Sequence, residues 1–252
     1  MTDPNILSTR RDGVLALELS RRDKKNAITT GMYAALAQAF ELASTDDEVA
    51  VVLLRGQPDL FTAGNDLADF LSPAARETPA AHQFLRAISR FPKPIVAAVG
   101  GPAIGIGTTM LLHCDFVLAA EGARLQLPFV QLGLCPEAGS SLLLPQMAGH
   151  RLAAELMLLG EPFDAIKARD AGIVTAIVPE SELLAHAQSL AERLARQPRD
   201  AMLTTKALLK RPLGRTVTEA MEEEFPHFER LLATDEARAI FQAFLEKRSA
   251  AR

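Results

Sequence analysis

Two rhythms of apolar residues alternate along the first two thirds of the chain. Short, nearly unbroken apolar runs occupy 13–19 (GVLALEL), 49–55 (VAVVLLR), 94–99 (PIVAAV), 114–120 (CDFVLAA) and 173–178 (IVTAIV), and they read as strands. Helical stretches lie between them at about 30–43, 79–90 and 150–159. Strands that alternate with helices, some almost continuous in apolar character, predict an α/β domain with much of its sheet buried. From about residue 180 the pattern is helical only. In 180–196 the positions Leu183, Leu184, Ala187, Leu190, Ala191 and Leu194 share one helical face. A last helix sets Ala237, Ile240, Phe241, Phe244 and Leu245 on one stripe, after a Thr234 cap with Asp235 and Glu236 in its first turn. Pro226 is expected to break or kink the helix before it. The terminal stripe fits either the chain's own core or a partner subunit.

One stretch imitates a membrane span, since no acid, Lys or Arg falls between Lys93 and Asp115. Pro94, Pro102, Gly100, Gly101, Gly105 and Gly107 divide it, and predict a buried strand, a turn and a short helix instead. No membrane association is expected. The whole chain has 252 residues, with 27 Lys and Arg against 31 Asp and Glu, a net charge of −4. A mildly acidic chain with one Tyr and no Trp is poorly suited to nucleic acid. Its two cysteines, Cys114 and Cys135, are too few for a disulfide framework or a cysteine zinc site, and the five histidines are scattered. No signal peptide is visible at the N-terminus, and a reducing, cytoplasmic setting is expected.

Three segments carry candidate chemistry. Two are glycine-rich turns after strands: Phe61-Thr62-Ala63-Gly64-Asn65-Asp66-Leu67, and Gly100-Gly101-Pro102-Ala103-Ile104-Gly105-Ile106-Gly107. Each could leave backbone N–H groups unpaired at a helix start, which makes an anion or oxyanion site without charged side chains. The third is Leu134-Cys135-Pro136-Glu137-Ala138-Gly139-Ser140-Ser141, where Glu137 stands among apolar and small residues. Glu137 is either a first-turn carboxylate favoured by the helix dipole or, with its pKa raised by apolar surroundings, a general base or acid.

Together these segments resemble the crotonase, or enoyl-CoA hydratase/isomerase, superfamily. The resemblance begins at Asp23-Lys24-Lys25-Asn26-Ala27-Ile28 and continues through FTAGNDL and Pro92-Lys93-Pro94-Ile95-Val96-Ala97-Ala98-Val99. It ends at Phe244-Leu245-Glu246-Lys247-Arg248, so it spans nearly the whole chain. It implies a crotonase-type spiral α/β core of ββα units over 1–195 and a helical C-terminal oligomerisation region over 196–252. A homotrimer or dimer of trimers would follow.

By motif position, the backbone N–H groups of Ala63 and Ile106 would hold the thioester oxygen of an acyl-CoA. Hydratases of the family carry two acids at positions that match Thr109 and Phe129 here, and neither is acidic. The stretch from Pro128-Phe129 through Pro136-Glu137-Ala138-Gly139-Ser140-Ser141 is similar instead to peroxisomal-type Δ3,Δ2-enoyl-CoA isomerases. In those, one Glu at the position of Glu137 moves the proton. The resemblance implies that Lys24, Lys25, Ala27, Ala63, Gly64, Asn65, Asp66, Leu67, Gly105, Phe244 and Lys247 bind the CoA thioester, with no metal and no further cofactor. Hydration, thioester hydrolysis, dehalogenation and silent acyl-CoA binding remain alternatives on the same template, and Asp66 and Asp69 are the reserve candidates for the acid.

Overall fold

The continuous apolar runs are explained by a sheet that is covered on both faces. The computed structural model describes residues 3–70, 80–210 and 216–250, excepting the side chains at 70, 236, 240, 244 and 247–250. In chain order the elements begin β1 (Ile6–Arg11), β2 (Val14–Leu19), α1 (Thr30–Thr45), β3 (Val51–Arg55), α2 (Leu67–Phe70), α3 (Ala80–Arg90) and β4 (Ile95–Val99). Next come β5 (Pro102–Ile104), α4 (Ile106–Thr109), β6 (Phe116–Ala120), β7 (Arg124–Gln126), α5 (Ser140–Ala148) and α6 (His150–Ala154). The last are β8 (Phe163–Asp164), α7 (Ala165–Asp170), β9 (Ala176–Val178), α8 (Leu183–Ala195), α9 (Arg199–Leu209), α10 (Val217–Leu232) and α11 (Asp235–Ala250).

The main sheet has the order β1-β2-β3-β4-β6-β9, with only the β1–β2 pair antiparallel. Alternate residues of its inner strands enter two separate cores. Val52, Leu54, Ile95, Ala97 and Val99 point toward the large core with Leu36 and Phe40 of α1 and Phe84 and Ile88 of α3. Val51, Leu53, Val96 and Ala98 meet Leu183, Ala187 and Ala191 of α8 on the other face. That two-sided burial is why 49–55 and 94–99 lack the alternation of a half-exposed strand. A second, three-stranded sheet, β5-β7-β8, stands beside the first and carries the second glycine turn. The imitation membrane span resolves into β4, β5, α4 and a 3-10 turn at Met110–His113. Among the described residues no helix is long and apolar enough to cross a membrane.

The helical C-terminal region returns to the core. Met221, Phe225 and Phe228 of α10 and Ala237 and Phe241 of α11 are buried in the large core. The terminal stripe is therefore filled within the chain at Ala237 and Phe241. Lys206 of α9 donates to the Lys93 carbonyl (2.5 Å) and to Asp115 (2.6 Å). Lys93 itself is buried and donates to the carbonyls of Ala43 and Asp46 at the end of α1.

Of the two outcomes expected at Pro226, a break or a kink, the break does not occur. Pro226 does not end its helix, which runs through it from Val217 to Leu232. Pro226 and Glu222, whose carbonyl the proline leaves without a partner, both lie on the exposed side, where water can satisfy the freed carbonyl. A full capping box of Thr216 and Glu219 anchors the start.

Candidate active site

The two glycine turns are stitched side by side. The Thr62 N–H donates to the Pro102 carbonyl (2.8 Å) and the Ile104 N–H to the Thr62 carbonyl (3.1 Å). Gly64 has φ +89, and a Cβ there would stand 2.6 Å from the Ile104 carbonyl oxygen, so only glycine fits at this crossing. From the other side the loop at 21–28 is pinned by buried Asn26. Its side chain accepts from the Arg21 N–H and donates to Gln57 and the Phe61 carbonyl, and Thr62 Oγ1 donates back to the Asn26 carbonyl.

This lattice decides which N–H groups are free. The Ala63 N–H donates to the Lys25 carbonyl (2.9 Å), the Gly64 N–H to Thr62 Oγ1 (3.1 Å) and the Asp66 N–H to the Ile28 carbonyl (2.9 Å). The Asn65 N–H alone in that run has no acceptor among the described residues. Ala63 is therefore corrected as a candidate oxyanion donor. The Ala63 amide is consumed by the bond that holds the 21–28 loop, and the open donor is two residues on. In the second turn the Gly105 N–H donates to the Gln126 carbonyl (2.9 Å) and the Ile106 N–H, first in α4, has no acceptor among the described residues. Asn65 and Ile106 both line a cleft of about 1080 Å³.

Nine residues expected to bind CoA line that cleft: Lys24, Lys25, Ala27, Ala63, Gly64, Asn65, Asp66, Leu67 and Gly105. The side chains of the other two, Phe244 and Lys247, lie outside the described residues. The four basic residues Arg21, Arg22, Lys24 and Lys25 divide by partner. Arg21 is bound to Asp66 (2.6 Å) and Arg22 to Asp59 (2.6 Å). Lys24 and Lys25 have no ion-pair partner among the described residues and face the cleft. Phe129, Leu132 and Leu134 with Phe228, Phe241 and Leu245 supply an apolar part of the lining.

Glu137 is 7% exposed, and its Oε1 has no hydrogen-bond partner among the described residues. Burial, followed by the charge of Glu224, pushes its carboxyl up to about 8. It is not the first-turn carboxylate of a helix. The helix begins only at Ser140, and its leading N–H groups are taken by another acid. Glu224 of α10 accepts from the Gly139 N–H (2.7 Å), from the Ser141 N–H (3.3 Å) and from the Ser141 hydroxyl. Ala138 and Gly139 both stand in the left-handed region, at φ +61 and +67. For Ala138 this is a strained conformation that its surroundings must hold. His113 helps: burial and the nearby Lys210 lower its ring to about 4, so it is neutral, and its Nε2 donates to the Ala138 carbonyl (2.8 Å). Tyr33 of α1 is tied to the first turn. Its hydroxyl donates to Asn65 Oδ1, and burial, then the charges of Glu137 and Asp69, raise its phenol well above the ordinary value.

The reserve acids are used elsewhere. Asp66 is partly buried, which works against its charge, but the hydrogen bond from Arg21 keeps its carboxyl below the usual range. Asp69 accepts from the Thr30 N–H (2.6 Å) and hydroxyl (2.7 Å) at the start of α1. Thr109 and Phe129 are buried and bring no acid to the site. Glu224, Tyr33 and His113 were not singled out from the sequence. A signal for Glu224 was there: it shares the helical stripe of Ala220, Met221, Phe225 and Phe228, an acid on a core-facing side.

With this geometry in hand, comparison with known proteins is specific. The family model described as enoyl-CoA hydratase/isomerase matches residues 9–251. The chain is 36% identical over 226 residues to enoyl-CoA delta isomerase 2 of Rattus norvegicus, covering 87% of this chain but only 58% of that protein. It is 32% identical to 2,3-dehydroadipyl-CoA hydratase of Escherichia coli K12, covering 97% and 96% of the two chains. The crystal structure of an enoyl-CoA hydratase/isomerase from Pseudoalteromonas atlantica T6c superimposes with a TM-score of 0.91 at 42% identity, over 96% of this chain and 97% of that one.

Proposed function

The chain belongs to the enoyl-CoA hydratase/isomerase family, and we propose that within it the protein is a Δ3,Δ2-enoyl-CoA isomerase. The observation that carries this reading is one buried carboxylate, Glu137, whose Oε1 has no hydrogen-bond partner among the described residues, with no acid at Thr109 or Phe129. Addition of water by the two-acid route needs a pair. A 1,3 proton shift needs one group that takes a proton at one carbon and returns it at another.

In the proposed step the thioester carbonyl of a 3-enoyl-CoA accepts from the Asn65 and Ile106 N–H groups. Ionised Glu137 removes a proton from C2, and the electron pair moves into a dienolate whose charge collects on the thioester oxygen. Glu137 then delivers the same proton to C4, and the double bond comes to rest between C2 and C3. Nothing is consumed, and the step calls for no metal or redox group. Losing one oriented oxyanion donor in other enzymes costs about 10²–10³ in rate, so the two amides carry a large part of the acceleration. A pKa near 8 suits the work, because a base close to the ambient pH both takes and returns a proton readily. Lys24 and Lys25, which line the cleft, would meet the anionic phosphates of CoA.

The test is a paired assay on purified protein, with 3-enoyl-CoA conversion to 2-enoyl-CoA in one arm and 2-enoyl-CoA hydration in the other. Isomerisation should dominate by orders of magnitude; hydration at a comparable rate would overturn the reading in favour of a hydratase. A homotrimer or dimer of trimers is also proposed, supported by large apolar side chains exposed at Val130, Leu158 and Leu159. Sedimentation at micromolar concentration should give three or six chain masses, and a monomer would refute it.

A further inference from the structure

We propose that Glu224 of α10 is a positioning residue for Glu137, through which the C-terminal helical region sets the geometry of the reacting carboxylate. The inference rests on the reading of Glu137 as the proton carrier. Its basis is a set of contacts across the fold. The Glu224 carboxylate holds the Gly139 N–H at 2.7 Å, the Ser141 N–H at 3.3 Å and the Ser141 hydroxyl, although these residues lie 85 and 83 positions away in the chain. It is 8% exposed, so these bonds do not compete with bulk water.

The loop it grips is one that would not hold itself. Ala138 sits at φ +61, an unfavourable place for a residue with a Cβ, and Gly139 follows at φ +67. A Cβ at Gly139 would come to 3.0 Å from Val217 Cγ1, so α10 is packed directly against this turn. Glu137 precedes the strained pair, and its own side chain has an oxygen with no bond to steer it. Its direction is therefore set by the backbone, and the backbone is set by His113 on the Ala138 carbonyl and by Glu224 on the next N–H groups. A helix N-terminus normally takes its own side-chain cap, but Gly139 offers none and the remote carboxylate stands in.

The same carboxylate acts on Glu137 through its charge. The titratable groups facing Glu137 are Tyr33 from α1, Cys135 from its own segment and Glu224 from α10, with neutral His113 behind Ala138. Of these, Glu224 brings a negative charge, which opposes ionisation of Glu137. Removing it lowers the pKa of Glu137.

The experiment compares the parent with Glu224→Gln and Glu224→Asp. Two readouts are taken: isomerase kcat and KM across pH, and direct titration of the Glu137 carboxyl by NMR in protein labelled at glutamate, assigned by its loss in Glu137→Gln. Gln cannot accept at both oxygens and has no charge. It should lower kcat about ten- to a hundredfold with KM within about threefold, as displaced catalytic groups do, and move the Glu137 midpoint and the acid limb of kcat/KM to lower pH. Asp keeps the charge but is one methylene shorter, so kcat should fall while the Glu137 midpoint stays high. A folded Glu224→Gln protein with an unmoved Glu137 midpoint and kcat within twofold of the parent would overturn the proposal. If Gln fails to fold, the Asp variant decides alone: parent-like kcat refutes the clamp. Should the parent not isomerise 3-enoyl-CoA at all while the midpoint still moves, the functional reading falls and the coupling of the two carboxylates stands.

Discussion

Two regions of the molecule place acids beside a tight turn and treat them in opposite ways. Around 61–70, Asp66 and Asp69 are fully engaged: one is paired with Arg21 and receives the Ala68 N–H, the other takes the first N–H and hydroxyl of α1. Around 134–141, Glu137 is buried more deeply and has an oxygen with no hydrogen-bond partner among the described residues. The first region shows what a carboxylate does when folding has a use for it. The second holds a carboxylate that folding would do better without, since a buried charge with no hydrogen bond opposes stability. A group kept in such a place is a candidate for chemistry.

The contrast breaks first at Glu137. Glu137→Gln should reduce isomerase turnover by about 10²–10⁴-fold while acyl-CoA binding survives, measured by initial rates beside a binding titration. A rate within a few-fold of the parent would return attention to the engaged pair. Next is Gly64→Ala, which forces a Cβ toward the Ile104 carbonyl at φ +89 and disturbs the turn that bears the Asn65 amide. Turnover should fall by about 10²–10³, the loss of one oxyanion donor, and Ala63→Gly beside it should have far less effect, since it removes only a methyl and keeps the amide that bonds the Lys25 carbonyl.

Stability sharpens the comparison with opposite signs. The folded pKa of Glu137 is about 8, above its unfolded value, so the native state binds the proton more tightly. The stability this gives is full below the unfolded pKa and is lost as pH rises through about 8. Glu137→Gln removes that dependence, and near pH 8 it should stabilise the protein by about 1–3 kcal/mol once the burial of an amide is set against the gain. The gain should shrink toward pH 5, followed by chemical denaturation at both pH values. Asp66→Asn should do the reverse and destabilise by about 1 kcal/mol, the scale of a partly buried ion pair, with turnover changed only a few-fold.

Much of this was legible in the sequence, and the exceptions have causes. The runs at 49–55 and 94–99 announce themselves because both their faces are apolar. Strand β1 (ILSTRR) does not, since it is an exposed edge held by one neighbour. The strands of the small sheet are two or three residues long, too short to show a period. The two turns and Glu137 stood out by their composition. Which amide in the first turn is free could not be read there, because Ala63 and Asn65 differ only in that the Lys25 carbonyl arrives opposite Ala63 and no carbonyl among the described residues arrives opposite Asn65. Glu224 hid in a run of acids, and only its place on an apolar stripe set it apart. At Pro226 only the expected break is absent, and the carbonyl that the proline frees, on Glu222, lies on the exposed side of the helix.

The clamp that spans from residue 139 to residue 224 also has a consequence in time. A chain emerging from the ribosome presents its strands, both glycine turns and Glu137 long before α10 exists, and the early segments can pair as they appear. The bonds from Glu224 close a loop of 85 residues, the kind of contact that forms late because so much chain must be ordered first. The Glu137 carboxylate would thus be aimed only after the scaffold around it has set, and a chain arrested short of α10 would carry the two glycine turns with Glu137 still unheld.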